Sequence, residues 1–324
     1  MEYLLILLIL FGLELFYFKI ADKYNIIDKP NHRSAHTKIT LRGGGIVFWG
    51  TSLLYLIQHF QESIYFFVGI SIMSLVSFWD DIQSLSNKIR LVAHFSAITL
   101  IFYSLNLFEL LPVYVVVMAY VFFIGTINAY NFMDGINGIT GLYTLVVFLF
   151  FWLINERIHF INTDFLIYPV IGNLVFLFFN FRKRAKCFAG DIGSIAIAFW
   201  VVYVLLQLML KTNSLVWILF LVVYGVDAVC TILHRLYLKQ NIFEAHRLHF
   251  YQILSNEYKM DHRLVATLYA VLQFIVSLVV INFTDKFSNL QIFAVVILPL
   301  LALYLLKFYL MGKTEKLENE EISD

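Results

Sequence analysis

Charge is scarce in this chain. Of its 324 residues only 14% are Asp, Glu, Lys or Arg, against about 25% in a soluble globular domain. Together with 61% apolar residues and a mean hydropathy of +0.81, that scarcity excludes a disordered chain and a soluble α/β enzyme. Cysteine is scarce as well: Cys187 and Cys230 are the only two, which excludes a disulfide scaffold. A net charge of +1 leaves no surplus of cations to neutralise a duplex, so no nucleic-acid partner is expected. Continuous runs such as TLVVFLFFWLI lack the alternating polarity of a membrane β-barrel. The first apolar run has no basic stretch before it and no small-residue cleavage site after it. It reads as an uncleaved span rather than a signal peptide. No internal repeat is visible, which weighs against a transporter built from repeated halves.

What the chain does have is apolar runs. Crossing the hydrocarbon layer as a helix takes about 20 mostly apolar residues. Eleven such runs fall near 3–20, 43–60, 62–79, 91–108, 112–127, 139–154, 165–181, 191–210, 214–231, 264–283 and 289–309. If the N-terminus lies outside and the runs alternate, 20 of the 23 Lys and Arg residues lie inside, leaving Arg157, Lys211 and Lys286 outside. That asymmetry follows the positive-inside rule, and a shift by one helix would invert it. The expected fold is an all-α polytopic integral membrane protein with about 11 transmembrane helices, N-terminus outside and C-terminus cytoplasmic. Residues 1–311 form one membrane domain, and 312–324 a charged, solvated cytoplasmic tail. The outer loops 105–111, 155–164 and 211–213 are too short for a domain, so the sizeable polar segments face the cytoplasm. Both cysteines fall on that side, where thiols stay reduced.

Five cytoplasmic segments carry the unusual chemistry. The first runs DKPNHRSAH, with Lys29, Arg33 and His36, then Arg42 and Gly43-Gly44-Gly45. Cations with a turn and a Gly run before a helix suit an anion, although an ordinary basic loop looks similar. The second is DDIQSLSNKIR. Neighbours on a helix point about 100° apart, so Asp80 and Asp81 should divide their roles. One would meet a metal or substrate while the other orients Lys88, Arg90 or a backbone group. The third, NAYNFMDGINGITG, places Asn128, Asn131, Asp134 and Asn137 three apart, on one side if the stretch is helical. The fourth joins the basic run RKRAK to GDIGS, where Asp191 is either a helix cap or a hard oxygen ligand for Mg²⁺. The fifth is the 232–263 loop, with His246, Arg247 and His249. Zinc is disfavoured there because a closed site would need Cys or further His. Phosphate or sugar contact suits these side chains better, and Asp227 in the preceding run is placed to tie the loop to a helix end. Acids for a hard cation, and amides and cations for a diphosphate, thus collect beside the bilayer. Phosphoryl transfer asks mainly for such positioning and charge neutralisation.

In the same order, these motifs resemble those of the polyprenyl-phosphate N-acetylhexosamine-1-phosphate transferase family, over about residues 25–255. The resemblance implies transfer of a sugar 1-phosphate from a UDP-N-acetylhexosamine to undecaprenyl phosphate, with release of UMP, at the cytoplasmic face of a bacterial inner membrane. It implies Mg²⁺ as cofactor, with Mn²⁺ as a substitute, bound by Asp191 with Asn131 as a second oxygen ligand. Asp80 and Asp81 match the pair implicated in catalysis, and Asp191 completes the catalytic set. Asn137 matches the position that contacts uracil. Asn128 and Asp134 belong to the same substrate-binding signature, and His246, Arg247 and His249 would hold the diphosphate or sugar. Lys29, Arg33, His36, Lys88 and Arg90 would form a cationic shell. The partners implied are the UDP-sugar, undecaprenyl phosphate and membrane lipid, with a homodimer left open. Three departures stand out: Asn137 replaces an Asp of many bacterial relatives, Ile39 and Leu41 stand where Pro is frequent, and HRLHFYQ is less His-dense than the common motif. The last looks more like a subgroup handling sugars such as N-acetylfucosamine or N-acetylquinovosamine. The alternatives are the phospho-N-acetylmuramoyl-pentapeptide branch and, in another class, an ion-coupled transporter. Against the transporter, the spans hold few acids beyond Glu14 and Asp227.

Overall fold

A computed structural model describes residues 1–28, 39–242, 244 and 246–323, with 313–323 as backbone alone. Among the described residues, each of the eleven apolar runs is a helix: α1 Glu2–Lys23, α2 Ile46–Gln58, α3 Phe60–Ile82, α4 Asn87–Ser104, α5 Val113–Met133, α6 Ile139–Ile158, α7 Thr163–Asn180, α8 Gly190–Thr212, α9 Val222–Tyr237, α10 His262–Phe283 and α11 Asn289–Ser323. A 3₁₀ turn, Val216–Leu221, leads into α9. Nine of these segments are long and apolar enough to cross a membrane. The other two are α2, which has only 13 residues, and α4, whose first two turns carry Lys88, Arg90 and His94. The chain is an all-α polytopic membrane protein. The helix α11 continues through the charged tail without a break at 311–312.

Helix α8 is the axis of the bundle. Its sequence, IAIAFWVVYVLL, is apolar on every side, and a helix of that kind has to be buried all round. Accordingly 89% of its apolar stretch is buried, with α3, α5, α2 and α6 packed around it. Trp200 packs edge-on against Phe66 and tilted against Phe165, and donates its indole N–H to the Phe165 carbonyl at 2.9 Å. This arrangement fixes where the N-terminus of α8 emerges, and the polar motifs gather there.

Two local features aim the motifs. A short antiparallel pair, Ile27–Asp28 with Thr40–Leu41, closes the base of the first cytoplasmic segment. The chain then runs beside 187–189: Phe188 N donates to Leu41 O at 2.8 Å, Gly44 N to Phe188 O at 2.8 Å and Gly45 N to Ala189 O at 3.0 Å. A side chain at Gly45 would collide with the Gly193 backbone, so glycine at this crossing lets the 42–45 turn reach the start of α8. Second, Asn180 at the end of α7 accepts from Gly138 N at 2.6 Å and donates to Cys187 O at 2.9 Å, pinning the turn before α6 to the turn before α8.

Candidate active site

Asp80 and Asp81 occupy the last turn of α3, and their carboxylates separate as adjacent helical positions must. The Asp81 side chain has no exposed surface. Its Oδ1 accepts from Asp191 N at 2.9 Å and its Oδ2 from Ile192 N at 3.1 Å. It therefore caps the N-terminus of α8 from another helix, where free N–H groups and the helix dipole favour an anion. The third partner is Arg42, whose Nε lies 2.7 Å from Asp81 Oδ1. Asp80 turns the other way, accepting from Leu85 N at 2.6 Å and pairing with Arg90 Nη1 at 3.3 Å.

Because Asp81 supplies the cap, Asp191 makes no capping bond of its own. Its side chain, 19% exposed, points to the cluster instead. Oδ1 accepts from Asn131 Nδ2 at 3.0 Å and faces Arg42 Nη2 at 3.8 Å, while Oδ2 faces Arg90 Nη2 at 3.7 Å. Asn131 also donates to Ser194 Oγ at 2.9 Å. Three carboxylates and two guanidinium groups from four segments thus share one site.

The signature at the end of α5 does not stay on one face. The helix stops at Met133, so only Asn128 and Asn131 lie on it, and Asn128 bonds back to Ile124 O at 2.8 Å. Asp134 follows half-buried, and burial pushes its carboxyl up to about 7, with the Asp191 charge acting in the same direction. Asn137 is buried in the next turn and donates to the Arg182 carbonyl at 2.8 Å. Gly138, in the left-handed region at φ 85°, makes that turn.

Among the described residues the His segment is irregular up to a short turn, Phe250–Gln252. The rings of His246 and His249 lie 4.9 Å apart, and Arg247, between them in sequence, is half-buried. Asp227 gathers the turn: it accepts from Phe250 N at 2.9 Å and from Tyr269 OH at 2.6 Å, and its Oδ1 lies 3.3 Å from His249 Nδ1. Among the described residues, His249 Nε2 is buried without a partner. Burial, with His249, Arg235 and Lys307 adding positive charge nearby, lowers His246 to about 3, so it is a neutral hydrogen-bonding group at physiological pH. Tyr251 joins this loop to the α5 signature by donating to Phe132 O at 2.9 Å, with its ring against Gly135.

Of the residues singled out from sequence, Asp80, Asp81, Arg90, Asn131 and Asp191 are brought into direct contact. Asp134 stands beside them, and His246, Arg247 and His249 arrive through Tyr251. Lys88 is exposed in the first turn of α4 and pairs with none of the acids among the described residues. Lys29, Arg33 and His36 lie outside the described residues. Arg42, named with the triple glycine of the first segment, joins the cluster. Ser194, Tyr251 and Asn180 are the additions; Ser194 lies within GDIGS and Tyr251 within HRLHFYQ, and Asn180 carried no signal in the sequence.

The donor set suits one kind of metal. Among the described residues no three His, Cys, Asp or Glu side chains form a closed cage, which disfavours a structural zinc site. Magnesium is held differently, by one or two carboxylates completed with water and substrate phosphates. Asp191 offers such oxygens, and Asn131 would offer Oδ1 once its amide turns, since Nδ2 now faces Asp191.

Residues 63–209 match the family model described as glycosyl transferase family 4. The chain is also similar to proteins named undecaprenyl-phosphate alpha-N-acetylglucosaminyl 1-phosphate transferase. That of Yersinia pestis is 30% identical over 211 residues, covering 58% of this chain and 57% of that one. The Escherichia coli O157:H7 protein is 28% identical over 211 residues, with the same two shares. The Thermotoga maritima protein is 28% identical over 251 residues, or 73% of this chain and 75% of that one. The chain thus spans little more than half the length of the Escherichia coli and Yersinia relatives it matches.

Proposed function

We propose that this chain is a polyprenyl-phosphate N-acetylhexosamine-1-phosphate transferase. The observation that carries the reading is the convergence of Asp80, Asp81, Asp191, Arg42, Arg90 and Asn131 at the N-terminus of α8, at one end of an apolar bundle. A phosphate oxygen of undecaprenyl phosphate attacks the sugar-bearing phosphorus of the UDP-sugar. The bond from that phosphorus to the bridging oxygen breaks, and UMP leaves with that oxygen. The lipid phosphate is largely dianionic at neutral pH, with a second pKa of about 6, so the attack needs no strong base. That suits Asp80 and Asp81, whose oxygens are already committed to Arg90, Leu85 N, Arg42 and the start of α8.

In the empty site these two acids hold the guanidinium groups ready, and the guanidinium groups neutralise phosphate charge during an in-line displacement. Asp191 and Asn131 hold a Mg²⁺, which when bound supplies neutralisation of the diphosphate and of the departing UMP. His246 and His249, fixed by Asp227 and Tyr251, face the diphosphate or the sugar, and Asp134 and Asn137 shape the nucleotide side. The names of the relatives favour UDP-N-acetylglucosamine as donor, and the sparse His motif keeps modified N-acetylhexosamines as candidates. The site opens on the cytoplasmic side of a bacterial inner membrane, where UDP-sugars are made.

The test is UMP release by the purified chain with undecaprenyl phosphate and Mg²⁺ over a panel of UDP-sugars: the N-acetyl derivatives of glucosamine, galactosamine, fucosamine and quinovosamine, and UDP-N-acetylmuramoyl-pentapeptide. Lipid-dependent UMP from one N-acetylhexosamine is the expected outcome. Turnover of the pentapeptide donor alone would move the chain to the peptidoglycan branch, and folded protein that turns over none of them would count against the reading.

A further inference from the structure

The oxygens of Asp191 meet Asn131 Nδ2 and Arg42 Nη2 at Oδ1 and Arg90 Nη2 at Oδ2, and the Asp80 carboxyl stands within hydrogen-bonding reach of the same side chain. A divalent ion arriving alone meets a carboxylate that two guanidinium groups already serve. Both arginines span two acids: Arg90 pairs with Asp80 at 3.3 Å and Asp191 at 3.7 Å, and Arg42 with Asp81 at 2.7 Å and Asp191 at 3.8 Å. Arg42 is the more exposed of the two, at 34% of its side chain against 24%.

The Arg42 backbone is anchored. Its N–H donates to Ile26 O at 3.1 Å, and its carbonyl accepts from Tyr17 OH at 2.6 Å. Its side chain, however, is free to leave Asp81 without orphaning that carboxylate, because Asp191 N and Ile192 N still donate to it. A buried ion pair is costly to break when one charge is left without partners. Here the helix N-terminus prevents that.

We propose that Arg42 is an exchangeable cation: it holds Asp81 and Asp191 in the empty site, and turns to the donor diphosphate when a divalent ion takes Asp191. The proposal rests on the transferase reading above and adds an order to it. Metal and diphosphate each bind weakly alone, because either by itself leaves Arg42 in the wrong place. Together they bind tightly, and linkage makes the enhancement the same in both directions.

The experiment measures Mn²⁺ binding to the full, detergent-purified chain by electron paramagnetic resonance, with and without UDP, which carries the diphosphate common to every donor. In the wild type, UDP should raise Mn²⁺ affinity. In Arg42→Gln, Mn²⁺ without UDP should bind more tightly by roughly tenfold, within the usual range of coupling between two sites, and the gain from UDP should shrink. Arg42→Gln that binds Mn²⁺ alone no better than wild type, or keeps the full gain, overturns the proposal. Should Arg42→Gln fail to fold, Arg42→Lys decides. A single ammonium cannot bridge both carboxylates as the guanidinium fork does, so an intermediate affinity is expected and a wild-type value overturns the proposal. A wild type that binds neither Mn²⁺ nor UDP overturns the transferase reading and the exchange with it. Binding with an unchanged arginine effect overturns the exchange alone.

Discussion

Asp134 is a carboxyl group held where its charge is poorly solvated, and its pH behaviour has a definite sign. Unfolded, it ionises near 3.8; folded, burial holds the proton until about 7. The unfolded chain therefore releases its proton first, and the folded state loses stability as pH rises between those two values. Asp134→Asn has no such charge to form, so its stability should stay flatter across that window. Thermal unfolding in detergent at a series of pH values measures this, and a wild-type slope in the variant would mean that other groups set the profile. At this scale some of the site was legible. The divergence of Asp80 and Asp81 follows from helix geometry alone, and the oxygen chemistry of Asp191 from its residue type. What was hidden is tertiary. No local pattern says that Asp81 caps α8, a helix 110 residues further on, or that Asn137 is spent on the Arg182 carbonyl.

The helices were legible as existing and less so as bounded, because hydropathy marks the apolar part of a helix and not its polar turns. The run at 62–79 is α3, which continues to Ile82 and so carries the paired aspartates on its last turn. The run at 112–127 is α5, which continues to Met133 and brings Asn131 within reach of Asp191. Irregular pieces gave no periodic signal at all. The 3₁₀ entry to α9 is completed by Gln273 of α10, which donates to Leu219 O at 3.0 Å and accepts from Val223 N at 3.2 Å. The clamp between turns made by Asn180 is of the same kind, and it can be tested. Asn180→Ala leaves Gly138 N and Cys187 O without their partner in a buried place, a loss of about 2 kcal/mol. Because those turns carry Asn137 and lead to Asp191, UMP release should fall along with the melting temperature. Asn180→Asp keeps the acceptor for Gly138 N and loses the donor, so it should lie between. An alanine variant with unchanged stability and turnover would show that the turns are held by other contacts.

At the scale of the whole molecule, the two ends of the bundle differ chemically. One end holds Arg42, Arg90 and the acids of the site, at the finish of α3 and α5 and the start of α4 and α8. The far ends of α6, α8 and α10 come together around a cavity of about 240 Å³ lined by Arg157, Thr212, Ser214, Trp217 and Asp285. The residues left outside by the charge count, Arg157, Lys211 and Lys286, lie in or beside that second group, so a single orientation accounts for all three. Cations are retained on the cytoplasmic side during insertion, which predicts the site end inward and the Arg157 end outward. Reporter fusions test this directly. A fluorescent protein joined after Asp324 should fold and fluoresce, whereas alkaline phosphatase joined after Lys286 should be active, because it needs the oxidising side. Phosphatase activity from the C-terminal fusion would place the site end outside. A UDP-sugar made in the cytoplasm would then have no access to it, and the transferase reading would fail on topology whatever the geometry of the acids.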